Sequence, residues 1–236
     1  MNNPPATPTE GPHSFSQDWR QSKWLAFVEF AIVAFIFLGD AKHLVPISKT
    51  PFLLLLGWIS LRVRGLRWRD VGLMRNRSRP RILALGIGAG LLMEAFELFV
   101  SQPLLARLTG KQPDFSDFQA IHGNVKSLSL GVALAWTLAA LGEEMVWRGY
   151  LMNRVAGLGK HTRLAWFVSL IAVNMLFGYA HSNQGITGIL DEGLMGVILG
   201  LFYLGTNRNL SVPIISHGVA DTVDVVWLFI GHYPGT

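Results

Sequence analysis

The feature that most constrains this chain is a succession of apolar runs, too many and too long for the interior of one water-soluble domain. Seven are read, at 24–39, 44–61, 82–100, 128–151, 164–181, 186–204 and 210–230. A helix needs about 20 apolar residues to cross a bilayer, and inside the hydrocarbon a lone segment satisfies its own backbone groups only as a helix. The fold class that follows is all-α: a polytopic integral membrane bundle of about seven (six to eight) transmembrane helices. Composition agrees, since 50% of residues are hydrophobic and 15% charged, against roughly 25% charged in soluble domains. The second run carries Pro46, Lys49 and Pro51, so a short, tilted or kinked span is expected there. The stretch from Leu104 to Leu128 holds Lys111, Asp114, Asp117 and Lys126 and reads as an extramembrane or interfacial connection.

Charge sets the orientation. Eight arginines (Arg62, Arg64, Arg67, Arg69, Arg75, Arg77, Arg79 and Arg81) join the second and third runs. A basic loop between spans is what the positive-inside rule produces, so the net charge of +5 marks a cytoplasmic anchor and no nucleic-acid partner is expected. Arg20 and Lys23 before the first span, and Arg154, Lys160 and Arg163 after the fourth, fall on the same side. This puts the N-terminus in the cytoplasm and residues 230–236 outside. The short loops and basic inner loop suit the plasma membrane of a prokaryote. The absence of cysteine excludes disulfides, thiolate ligands and a cysteine nucleophile. Residues 1–18 are rich in Pro, Asn, Thr and Ser and are expected to be a disordered tail, leaving 19–236 as a single transmembrane domain.

Ionisable residues inside spans each cost about 2.5–3.5 kcal/mol on insertion scales and need a reason to be there. Glu29, Glu94, Glu97, Glu143, Glu144, Arg148, His181, Asp191, Glu192, His217, Asp221 and Asp224 all lie in apolar runs. Three groups stand out. In LGEEMVWRGYL, Glu144 and Arg148 are four apart and can pair on one helix face, while Glu143 points elsewhere with its carboxylate free to act as a base. The plainer reading of that group is a helix end with solvated charges. In LFGYAH, Phe177 and His181 lie one turn apart, and a lone histidine in an apolar helix is more often a packing or interfacial residue than a ligand. In ISHGVADTVDVV, His217 and Asp221 share a face; they can bind a metal, hold a water and an oxyanion, or simply join two helices. Asp221 can also orient the His217 ring.

The order of these groups, each on its own apolar run, resembles the CPBP intramembrane proteases, the Abi or CAAX-protease group. Their motif Glu-Glu-x-x-x-Arg is met by Glu143, Glu144 and Arg148, Phe-x-x-x-His by Phe177 and His181, and His-x-x-x-Asn/Asp by His217 and Asp221. The likeness covers about 125–230, the motif-bearing core. It implies an intramembrane endopeptidase acting on a membrane-associated peptide or protein. Glu143 would activate the water, His181 and His217 would bind a metal or stabilise the oxyanion, and Asp221 would assist. One divalent ion of zinc type is the implied cofactor, with Glu143, His181, His217 and Asp221 as its ligands. Asp221 departs from the Asn of eukaryotic members: an ionised Asp cannot donate a hydrogen bond, so it suits a ligand or an orienter better than an oxyanion donor.

Two rival readings come from other classes. A proton-coupled transporter would use Glu94, Glu97, Glu143, Asp191 and Asp221 as a relay, though no internal repeat is visible. A catalytically silent scaffold or bacteriocin-immunity protein would keep the fold and bind only. Straight antiparallel helices would separate His181 and His217 by about 16 Å in depth. A convergent site therefore requires tilted or broken helices near Gly178, Gly185 and Gly188.

Overall fold

A computed structural model describes residues 22–46, 48–73 and 79–233. The expected tail, Arg75, Arg77 and the last three residues lie outside the described residues. The apolar runs become helices α1 (Lys23–Ala41), α2 (Thr50–Val63), α3 (Arg79–Thr109), α4 (Val125–Leu158), α5 (Arg163–Tyr179), α6 (Gly185–Gly205) and α7 (Ser211–Ile230). No strand occurs among the described residues. Helices α1, α3, α4 and α7, and α6 with the turn before it, are long and apolar enough to cross a membrane, whereas α2 and α5 are shorter apolar helices.

Several boundaries differ from expectation for identifiable reasons. Helix α2 starts at Thr50 rather than near Leu44, with Pro51 in its first turn, where a missing N–H is harmless. Helix α3 continues past the expected connection at Leu104 and ends at Thr109, where Gly110 adopts φ 72°. Pro103 lies within this helix, and a π turn over Glu97–Ser101 immediately precedes it and absorbs the disrupted ladder. Helix α4 widens into π geometry at Ala135–Glu143 and Met145–Met152, so the Glu143–Glu144 pair sits in its widest part.

The bundle packs around α4. Trp147 meets Phe37 of α1 at 6.0 Å and Phe177 of α5 at 5.2 Å, both edge to face. Val146, Tyr150, Leu151 and Met152 complete the core with Leu53, Tyr203 and Leu210. Small residues allow close approach elsewhere. A Cβ on Gly90 of α3 would come within 2.6 Å of the Ser216 carbonyl, so α3 and α7 approach backbone to backbone.

At one end, the connection after α2 meets the connection after α6 through Leu210 N to Gly72 O, at 3.1 Å. Arg208 lies over the Trp166 ring at 5.4 Å, joining the start of α5 to the same end. Glu29 of α1 is buried there and takes Arg64, the residue just after α2, in a fork, at 2.7 and 3.0 Å, together with Nε of Arg154 from α4. One carboxylate thus holds three helices. Glu29→Ala would leave two buried guanidinium groups without their shared carboxylate and is expected to destabilise the fold by about 3–5 kcal/mol, measured by thermal unfolding in detergent, while Phe27→Ala on the lipid-facing side should change it little.

Candidate active site

Arg148 organises the centre. It is 0% exposed, and Nη1 donates to Glu144 Oε1 at 2.6 Å, as the four-residue spacing anticipates. Nη2 donates to the Gly196 carbonyl of α6 at 2.7 Å and to Asn174 Oδ1 of α5 at 3.2 Å. Its guanidinium lies 4.9 Å from the centre of the Phe177 ring. Gly196 is required at that position, because a Cβ would come within 2.8 Å of Asn174 Oδ1 and Phe177.

The same Oε1 of Glu144 faces Nδ1 of His217 at 2.9 Å. On the other side of the ring, Nε2 faces Asp221 Oδ1 at 3.3 Å. Carboxylates therefore flank both ring nitrogens, and Glu144 couples Arg148 to His217. Sequence spacing links His217 to Asp221 but carries no sign of its bond to Glu144.

Glu143 stands apart from this network. It is half-buried, and its nearest hydrogen-bonding neighbour is the Thr50 hydroxyl of α2, at 3.5 Å from Oε1. Thr50 in turn receives a hydrogen bond from Ser48 Oγ at 3.3 Å. The close approach depends on Gly142, where a Cβ would come within 2.9 Å of Thr50 Cγ2. In the sequence, Ser-Lys-Thr-Pro before an apolar run marks only a helix start; nothing there points across 93 residues to Glu143.

His181 closes the α5 end. Its Nδ1 lies 3.0 Å from the Phe177 carbonyl and its ring 4.8 Å from the Phe177 ring. A carbonyl only accepts, so Nδ1 carries the hydrogen, and in the neutral ring Nε2 keeps a lone pair. The register between α4 and α5 addresses the depth difficulty. Ser169 Oγ bonds the Met152 carbonyl and Asn174 bonds Arg148, so the helices run antiparallel, and continuing at a helical rise brings His181 to about the Leu141–Glu144 turn. Helix α5 is not broken at Gly178. That glycine instead lets α5 lie against the Ile189 carbonyl and Gly193 of α6. Glu144, Arg148, His217 and Asp221 are in direct contact, while His181 is tied in through Phe177, with no hydrogen bond or ion pair to Glu143 or His217.

The implied metal set does not fit these side chains. Among the described residues, no three His, Asp or Glu groups converge in a way that could hold an ion. Both nitrogens of His217 already face carboxylates, so no reaction step is assigned to a metal. A cleft of about 660 Å³ opens on the turn that follows His181, lined by Lys111, Asp114, Ser116, Ser182, Asn183 and Gly185 among others. There the Ser116 backbone N–H, at 2.9 Å, holds Asp114 below the usual carboxylate range.

The central ion pair has a measurable signature. Glu144→Leu and Arg148→Met, each leaving a buried charge alone, are expected to cost about 3–5 kcal/mol singly, and the double variant much less than their sum. Denaturant unfolding in detergent gives the coupling energy.

Residues 125–223 match the family model described as Rce1-like, Type II CAAX prenyl endopeptidase. No curated protein and no solved structure matches the chain. The matched segment begins at α4 and ends two residues beyond Asp221, so it contains all the motif residues whose contacts are described above. Over that segment, the chain is similar to the Rce1-like, Type II CAAX prenyl endopeptidase group of the CPBP, or CAAX-protease, family.

Proposed function

We propose that the chain is an intramembrane endopeptidase of CAAX-protease type that hydrolyses a peptide bond of a membrane-associated substrate with water activated by Glu143. The observation that carries this reading is the division of labour between adjacent glutamates. Glu144 is consumed by Arg148 and His217, whereas Glu143 keeps its carboxylate outside that network beside a single hydroxyl.

In this mechanism Glu143 and the lone pair on His181 Nε2 hold the water between them. Glu143 takes its proton as the oxygen attacks the scissile carbonyl, then gives that proton to the leaving amine. The oxyanion is received by His217, whose Nε2–H is shared between Asp221 and the developing charge. The 3.3 Å separation from Asp221 is long enough to yield to a better acceptor. Glu144 keeps Nδ1 protonated and the ring in place. Asp221 acts as an orienter, consistent with a side chain that only accepts when ionised. Thr50 aims Glu143, a positioning role supplied from outside the family-matched segment. The arginine-rich end is assigned to the cytoplasm by the positive-inside rule, with the N-terminus on that side.

The test uses the protein in lipid vesicles with an internally quenched farnesylated peptide ending in a CAAX tetrapeptide, products being identified by mass. Glu143→Gln is expected to lower kcat about 10²–10⁴-fold and His217→Asn about 10²–10³-fold. Hydrolysis that survives Glu143→Gln would refute the mechanism, and a wild type silent on prenylated and unprenylated peptides alike would favour a binding role. Thr50→Val should reduce kcat about tenfold with KM unchanged, and Thr50→Ser should restore most of it.

A further inference from the structure

A second group of acids lies between α3, α6 and α7, on the side of Asp221 away from Glu144. Most of its members have donors. Asp191 accepts from Ser101 Oγ at 2.6 Å, and Glu97 accepts from Gln102 Nε2 at 3.1 Å. Gln102 also donates to the Tyr233 hydroxyl at 3.0 Å. Glu94 is different: it is 2% exposed, and both of its carboxylate oxygens are buried without a hydrogen-bond donor, as is Oδ1 of Asp224.

The Asp224 carboxyl lies within hydrogen-bonding reach of Glu94, and the Tyr233 hydroxyl within reach of Asp224. Two ionised carboxylates only accept, so such a contact has no donor unless one of them carries a hydrogen. The groups facing the pair are Glu97 on α3, Asp191 and Glu192 on α6, Asp221 on α7, and Tyr233, with the basic His217 beyond Asp221. Among the described residues no cluster of acids and histidines could hold a metal ion. The ligand that the geometry lacks is a single hydrogen ion.

We propose that Glu94 and Asp224 form a proton-binding site, one proton shared between α3 and α7, and that this site is coupled through Asp221 to the His217 end of the active centre. Like the carboxyl pairs of coupled titrations, the two groups release that proton as a unit. Helices α3 and α7 are brought close enough for this by Gly86 and Gly90, which seat Ile215, Ser216 and Val219. Coupling to His217 would give the hydrolase a proton-responsive element beside its oxyanion donor, and that consequence alone rests on the functional reading above.

Infrared spectroscopy of the full chain in phosphatidylcholine vesicles tests the proposal without any substrate. At neutral pH the wild type should show the C=O stretch of a buried protonated carboxyl, and Glu94→Gln and Asp224→Asn should each abolish it, because either amide supplies the missing donor. Both variants are nearly isosteric, and circular dichroism verifies their helicity. As pH is raised the wild-type band should titrate away, and Asp221→Asn should lower the midpoint by about one pH unit by removing a negative neighbour. Absence of the band, or its persistence in both variants, overturns the site. No band together with stabilisation by added sodium or calcium would make it a cation site and likewise overturn the proposal. An unmoved midpoint in Asp221→Asn overturns the coupling. If neither amide variant folds, the wild-type and Asp221→Asn titrations still decide. Failure of peptide hydrolysis, by contrast, bears on the protease reading alone.

Discussion

A fully buried guanidinium sets the terms for the rest of the molecule. Arg148 cannot lose its charge at any accessible pH, so a place without solvent is open to it only where enough acceptors surround it. Three helices meet that demand: Glu144 from its own helix, Asn174 from α5 and the Gly196 carbonyl from α6. The requirement is geometric as well as electrostatic. Gly196 has to lack a side chain for the carbonyl to approach, and Asn174 is itself held by a bond to the Leu170 carbonyl at 2.7 Å. With Nη1 and Nη2 of Arg148 bonded, Glu144 is fixed, and Glu144 in turn fixes the His217 ring on α7.

Two neighbouring glutamates thereby acquire different fates. Glu144 lies on the packed side of α4 with no exposed surface, and Glu143 is turned toward α2 and remains partly accessible. The helix that carries them is wound in π geometry on both sides of the pair. Such widening is common at functional sites because it lets consecutive side chains leave the helix in directions an α-helix does not offer. Glycines do the complementary work between helices: Gly142 admits Thr50, Gly178 admits α6, and Gly90 admits α7.

Much of this was legible in the chain. The apolar runs located every long helix, the four-residue spacing paired Glu144 with Arg148, and the same spacing put Asp221 beside His217. Other features were not. The continuation of α3 through Pro103 depends on a π turn that hydropathy does not report. The four-ligand metal set looked chemically reasonable, yet the helices present His217 to two carboxylates and His181 to a carbonyl. Thr50 carried no signal at all, since a threonine before a proline is an ordinary helix start.

The sequence by itself determined what depends on nearest neighbours along the chain: which segments avoid water, which end of the bundle is basic, and which side chains three or four residues apart share a helix face. Those follow from hydropathy and helical period, which are local properties. Only the tertiary structure decided which oxygen His217 faces, that α2 contributes Thr50, and that Glu94 meets Asp224 without a donor. These depend on how far one helix slides and rotates against another. That register is set by the sum of many small contacts, glycine clearances and the acceptors Arg148 demands, and no short stretch of sequence encodes such a sum.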